Sequence, residues 1–216
     1  TALQAKTWPP LSVNINKLSY NQYYFGQVLL ETQPMVNGVK IENFVVNNPL
    51  YKINLTGQWE QAGKGEISHL KGSATSPDLG KVLLVNKLFT GESSAIQAKK
   101  TDIKLDISWP NNLWSIKLGQ LSGDLDVSVD NGVIPIGEGG AKMGLGKVLS
   151  LFSAQSLERR LRLDFSDLSD QGYSFNTLAS QLNLSKGDAY VKQGEFNGPQ
   201  AKIDFLGRIG LVKKDY

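Results

Sequence analysis

The sequence predicts a mainly β chain: a long antiparallel meander with one apolar and one polar face, interrupted by two short amphipathic α-helices. Three observations carry this. Apolar and polar residues alternate with period two along most of the chain. Dipeptides rich in positive-φ residues punctuate the alternation. In only two segments does the apolar spacing lengthen to that of a helix.

In chain order, Val13 and Ile15 alternate with Asn14 and Asn16, and Asn37-Gly38 supplies a turn. Ile53 and Leu55 then alternate with Lys52 and Asn54. The first helix is predicted at about 78–89, where Leu79, Val82, Leu83 and Leu88 follow Pro77 and precede Gly91. Alternation resumes with Ile103, Leu105, Ile107 and Trp109 against Asp102, Lys104, Asp106 and Ser108. Next come Leu125, Val127 and Val129 against Asp124, Asp126, Ser128 and Asp130, with a turn predicted at Asn131-Gly132. The second helix is predicted at about 145–157, with Leu145, Val148, Leu149 and Phe152 at helical spacing. Leu161, Leu163 and Phe165 return to period two, as do Leu182 and Leu184, and then Ile203 and Phe205 after the Lys186-Gly187 turn.

Residues 48–59 also align without gaps on 198–209: Pro49 with Pro199, Lys52 with Lys202, Ile53 with Ile203, Gly57 with Gly207. A repeated strand–turn–strand unit that lengthens one sheet explains this better than two domains. The 216 residues are therefore read as a single unit. So wide an apolar face needs covering, and two short helices are too little. Either the sheet closes as a sandwich or barrel, or it curls into a trough open to an apolar guest. Periodicity does not separate the two.

Composition removes most chemistry. There is no cysteine for thiolate catalysis or a thiolate metal site, and the single histidine, His69, has no nucleophile or orienting acid beside it in sequence. The glycine-rich run 137–147 fails the phosphate-loop spacing, since Ala141 and Val148 stand where glycine and Ser/Thr are needed. Asp124, Asp126 and Asp130 alternate with apolar residues on a strand, which fits a solvated face better than a calcium loop. With 23 Lys and Arg against 20 Asp and Glu, no basic stripe points to nucleic acid. No cofactor and no metal are expected. No stretch approaches the ~18 apolar residues of a spanning helix. Trp8, Trp59, Trp109 and Trp114 lie near strand ends and are expected in the core.

Several motifs resemble one family. Ser108-Trp109-Pro110, Leu121-Ser-Gly-Asp-Leu125, the run from Gly144 to Leu161 ending Gln-Ser-Leu-Glu-Arg-Arg-Leu, Gly172-Tyr-Ser-Phe175, Gly198-Pro-Gln-Ala201 and Gly207-Arg-Ile-Gly-Leu-Val212 resemble the C-terminal part of the AsmA-like family, in its YhdP branch. The resemblance implies the trough: a curled antiparallel β-sheet forming an open, taco-like groove. It further implies a periplasmic piece of a longer protein anchored in the inner membrane of a Gram-negative bacterium, carrying phospholipid acyl chains toward the outer membrane without enzymatic chemistry.

On that reading Ile103, Leu105, Ile107, Leu125, Val127, Val129, Leu161, Leu163, Phe165, Leu182, Leu184, Ile203 and Phe205 line the groove. Arg159, Arg160 and Arg162 are candidates for headgroup contact, and the second helix for a plug. Nucleic acid is not an expected partner, and the chain is expected to be monomeric. The rival reading is an assembly module whose sheet edges pair with β-strands of outer-membrane protein clients.

Overall fold

A computed structural model describes residues 4–21, 23–85, 97–134, 173–199 and 202–212. Ten strands form one sheet in the order of the sequence, each antiparallel to the next. They are β1 (Leu11–Tyr20), β2 (Tyr23–Met35), β3 (Gly38–Asn47), β4 (Lys52–Ala62), β5 (Gly65–Ser76), β6 (Gln97–Pro110), β7 (Ser122–Ile134), β8 (Tyr173–Ser185), β9 (Asp188–Asn197) and β10 (Lys202–Gly210). One α-helix, α1 (Leu79–Val85), joins β5 to β6. Among the described residues β1 and β10 pair on one side only, so the sheet is a curled, unclosed groove and not a barrel. Of the helix predicted at 78–89, Leu79–Val85 is observed as α1 and 86–89 lie outside the described residues, as does the whole of the one predicted at 145–157.

Alternation builds this sheet because side-chain direction reverses at every residue, so paired strands of matching phase put all their apolar residues on one side. The polar side is laced by cross-strand pairs. Asp106 lies opposite Asp124, with Lys71 reaching Asp106 at 3.1 Å and Lys192 reaching Asp124 at 3.0 Å. α1 starts where the sequence places it: the Ser76 hydroxyl accepts the Asp78 amide, and the Asp78 carboxylate accepts the Lys81 amide. That amide, more than the neighbouring Lys81 ammonium, holds the Asp78 carboxyl below the usual range. One predicted turn is wrong. Asn131-Gly132 lies inside β7, where Asn131 takes φ +52° and a Cβ on Gly132 would collide with the Phe175 ring. The glycine there makes room for an aromatic ring of the next strand rather than reversing the chain.

Each odd-numbered strand carries a break in its backbone, and β2 carries one near its start, where Leu18 opposite Gly26 gives way to Ser19 opposite Tyr24. In β1 the register shifts between Ile15 and Leu18, in β3 between Ile41 and Phe44, and in β9 between Val191 and Gly194, each by one extra residue. In β5 and β7 the break is a glycine, Gly72 at φ +155° and Gly123 at φ +133°. A Cβ on either would strike a carbonyl oxygen of the neighbouring strand, Asn54 or Asp106. Bulges and mid-strand glycines are what bend a sheet, so the strands curl about an axis that follows the strand order.

The weak sequence repeat is a strong structural one. β2–β4 and β8–β10 pair in the same register at an offset of 150 residues, irregularities included. Glu31 opposite Asn43 gives way to Thr32 opposite Ile41, as Gln181 opposite Gln193 gives way to Leu182 opposite Val191. Ile41–Gly57 and Phe44–Leu55 likewise correspond to Val191–Gly207 and Gly194–Phe205. Register is retained where most side chains are not.

Candidate functional site

The apolar face extends across all ten strands. One rank of directly opposed residues reads Val13, Leu30, Phe44, Leu55, Gly72, Leu105, Leu125, Leu182, Val191 and Gly207, from β1 to β10. The next reads Ile15, Val28, Val46, Ile53, Ala74, Ile103, Val127, Ser180, Gly194 and Phe205. At about 4.8 Å per strand each rank is ~43 Å long. The pairing puts Ile103, Leu105, Ile107, Leu125, Val127, Val129, Leu182, Leu184, Ile203 and Phe205 on this one face. Leu161, Leu163, Phe165, Arg159, Arg160 and Arg162 lie outside the described residues.

The two margins of the face are covered. At the margin holding the short turns 36–37, 63–64 and 186–187, Trp59 and Trp109 are buried with Ser68 directly between them. Trp8 stacks edge-on to Trp59 at 5.7 Å, and Trp114 does so at 5.1 Å. Glu66 ties this corner down, accepting from the Trp59 indole at 3.0 Å and the Ala5 amide at 3.1 Å. The connection 111–121 runs along the same margin. Its Leu113 packs toward both Trp59 and Trp109, while Gly119 lies against Val212 and Gly187. Trp114 departs from the expected core position, being 55% exposed. At the opposite margin Leu79 of α1 packs on the cluster of Ala98, Val129 and Phe175. Between these margins Ile103, Leu105, Leu125, Val127 and Leu182 are half-buried.

Several hydroxyls interrupt the lining, Thr32, Ser68, Ser76, Thr101 and Ser180 among them, and two of these are unpaired among the described residues. Thr101 stands opposite Val129 and Ser180 opposite Val127, and neither buried hydroxyl oxygen has a hydrogen-bond partner among the described residues. Among the described residues the polar face groups His69 with Asp106 and Lys71 and adds no hydrogen-bonded nucleophile to them. His69 is a surface histidine whose Nε2 lies 2.6 Å from the Asp106 carboxylate, which also meets Lys71. Those contacts, His69 first, hold the Asp106 carboxyl below its usual range. Asp124 is lowered too, by Asn183 and then Lys192. No cluster of three potential metal ligands occurs among the described residues, and none of their helices is long and apolar enough to cross a membrane.

Sequence reasoning missed the lining residues of β2, β3 and β9, such as Leu30, Phe44 and Val191. The extra residue in β3 and β9 reverses the parity of the alternation halfway along, so Val39 and Ile41 share a face with Phe44 and Val46. The signal was present in the repeat: Gly57 and Gly207 mark the same bulge in both units.

No solved structure matches the chain. Over 209 residues, 96% of the chain, it is 22% identical to a protein of Escherichia coli (strain K12) described as an intermembrane phospholipid transporter, YhdP. The chain spans only 16% of that relative's length. The model of the YhdP protein family matches residues 1–216, the whole of the sequence that forms this unclosed ten-strand sheet, and the chain belongs to that family.

Proposed function

We propose that the chain is a section of a non-enzymatic phospholipid conduit, its apolar groove carrying acyl chains along the strand order between the inner and outer membranes. The observation that carries this is the pair of apolar ranks crossing ten strands, half-buried along their middle and interrupted by little more than glycines, alanine and one serine. Such a lining replaces water around a chain at ~0.8 kcal/mol per CH₂ wherever the chain lies. It offers no charged anchor, so a bound chain has no deep minimum to hold it. The E. coli relative's description as an intermembrane phospholipid transporter supports the same direction of reasoning. The rest of the reading follows from it: a periplasmic location, acyl chains as cargo, and no chemistry performed.

The test is mass spectrometry of the lipid retained by the purified chain, with Leu105→Asp and Val127→Asp as lining variants. Both positions are half-buried, so the variants are expected to fold while losing most of the retained phospholipid. Asp126→Asn on the polar face is expected to retain it. Wild type that never carries lipid, yet captures extended peptides from outer-membrane proteins along β1 or β10, would instead establish the assembly reading.

A further inference from the structure

The connections along the Trp-bearing margin carry a second pattern. Three successive ones each present an exposed lysine: Lys64 between β4 and β5, Lys117 between β6 and β7, and Lys186 between β8 and β9. Successive connections on one margin are two strands apart, about 10 Å. On the polar face Lys71, Lys100 and Lys192 are each held by an aspartate. Lys64, Lys117 and Lys186 meet no carboxylate among the described residues, and the nearby acids are engaged: Glu66 by Trp59 and Ala5, Asp188 by Arg208 at 2.9 Å.

The middle connection is also longer than its neighbours. Two residues suffice at 36–37, 63–64 and 186–187, whereas 111–121 exposes Trp114, Ile116 and Leu118 at 55%, 53% and 56% around Lys117. Val212, 59% exposed, continues this ledge beside Gly119 and Gly187. A ledge of large apolar side chains bearing a cation fits the boundary between a lipid's tails and its headgroup.

We infer that Lys64, Lys117 and Lys186 form a rail for the phosphates of lipids whose tails lie in the groove, with Trp114, Ile116 and Leu118 holding the glycerol region at the margin. This rests on the conduit reading and deepens it by naming the margin and the side chains that meet the phosphate. Each phosphate engages one lysine at a time, and the next lysine along the margin belongs to the next connection.

The experiment offers the 216-residue chain vesicles containing two lipids with identical oleoyl chains, phosphatidylglycerol and diacylglycerol, and measures uptake of each at low salt. Wild type is expected to favour the phosphate-bearing lipid by about five-fold, the effect of one lysine near an anionic headgroup. K64Q/K117Q/K186Q is expected to bring the ratio near unity, with diacylglycerol uptake and the melting temperature unchanged, while Lys192→Gln keeps the wild-type ratio. Inorganic phosphate, matched to chloride in ionic strength, is expected to leave the preference intact. If phosphate abolishes it, the lysines are an anion patch and the rail is overturned. Equal uptake of the two lipids by wild type, or a triple variant that keeps the preference, overturns the rail and leaves the conduit standing. Uptake of neither lipid overturns both.

Discussion

Thr101 is 3% exposed, sits on an apolar face, and has a hydroxyl with no partner among the described residues. Burying an unpaired hydroxyl is unfavourable, and valine has the same shape without it. Thr101→Val is therefore expected to raise stability by ~1 kcal/mol, read as a higher urea midpoint at unchanged slope. On the opposite face Asp106 contributes in the other sense. Its folded-state carboxyl lies below the ordinary value of 3.8, chiefly through His69 and then Lys71. A depressed carboxylate stabilises the fold above the unfolded-state value and loses that contribution as the pH falls through the folded-state value. Asp106→Asn is expected to cost under about 1 kcal/mol near neutrality, because the side chain is 47% exposed and screened. The two melting temperatures should converge as the pH is lowered below 3.8. The pairing of His69 with Asp106 was not legible in sequence, since they are 37 residues apart and meet only through the β5–β6 register.

Strands whose alternation is unbroken, such as β6, are legible from residue type alone, whereas the Asn131-Gly132 pair within β7 imitates a turn. β3 and β9 are not legible in this way, because one extra residue shifts their phase and the only mark of it, Gly57 or Gly207, stands on the partner strand. The two units solve the same packing problem with exchanged parts. Phe44 stands beside Leu55 in the first, while in the second Gly194 lies beneath the ring of Phe205. A Cβ on Gly194 would collide with that ring. Gly194→Phe alone is expected to destabilise by about 1–3 kcal/mol through overpacking. With Phe205→Leu, which restores the first unit's pair, most of that loss should return, giving a coupling of ~1 kcal/mol or more in a double-mutant cycle. Additive single effects would show that the two units do not share one packing scheme.

Across the whole molecule, every extensive contact between strands joins neighbours in sequence. Stability is then close to a sum of strand-to-strand terms, with each end supported on one side. Amide hydrogen exchange should follow that order, with β1 and β10 least protected and β5 to β7 most. Uniform protection would point to a closed sheet. The overall class, one meandering sheet with a polar and an apolar face, was legible because two-residue periodicity is a local property. Closure was not, since a barrel and a trough share that periodicity. What bends the sheet open is a glycine or a single inserted residue within a strand, a difference too small for composition to register.

The 150-residue offset spans six strands, from β2 to β8. At about 4.8 Å per strand, one more copy would add ~29 Å of groove with the same cross-section and the same curl. Span becomes something counted rather than tuned, as a ladder gains height by rungs. Loss of a whole copy shortens the reach and leaves every remaining contact in place, whereas loss of a single residue within a strand turns half of that strand inside out.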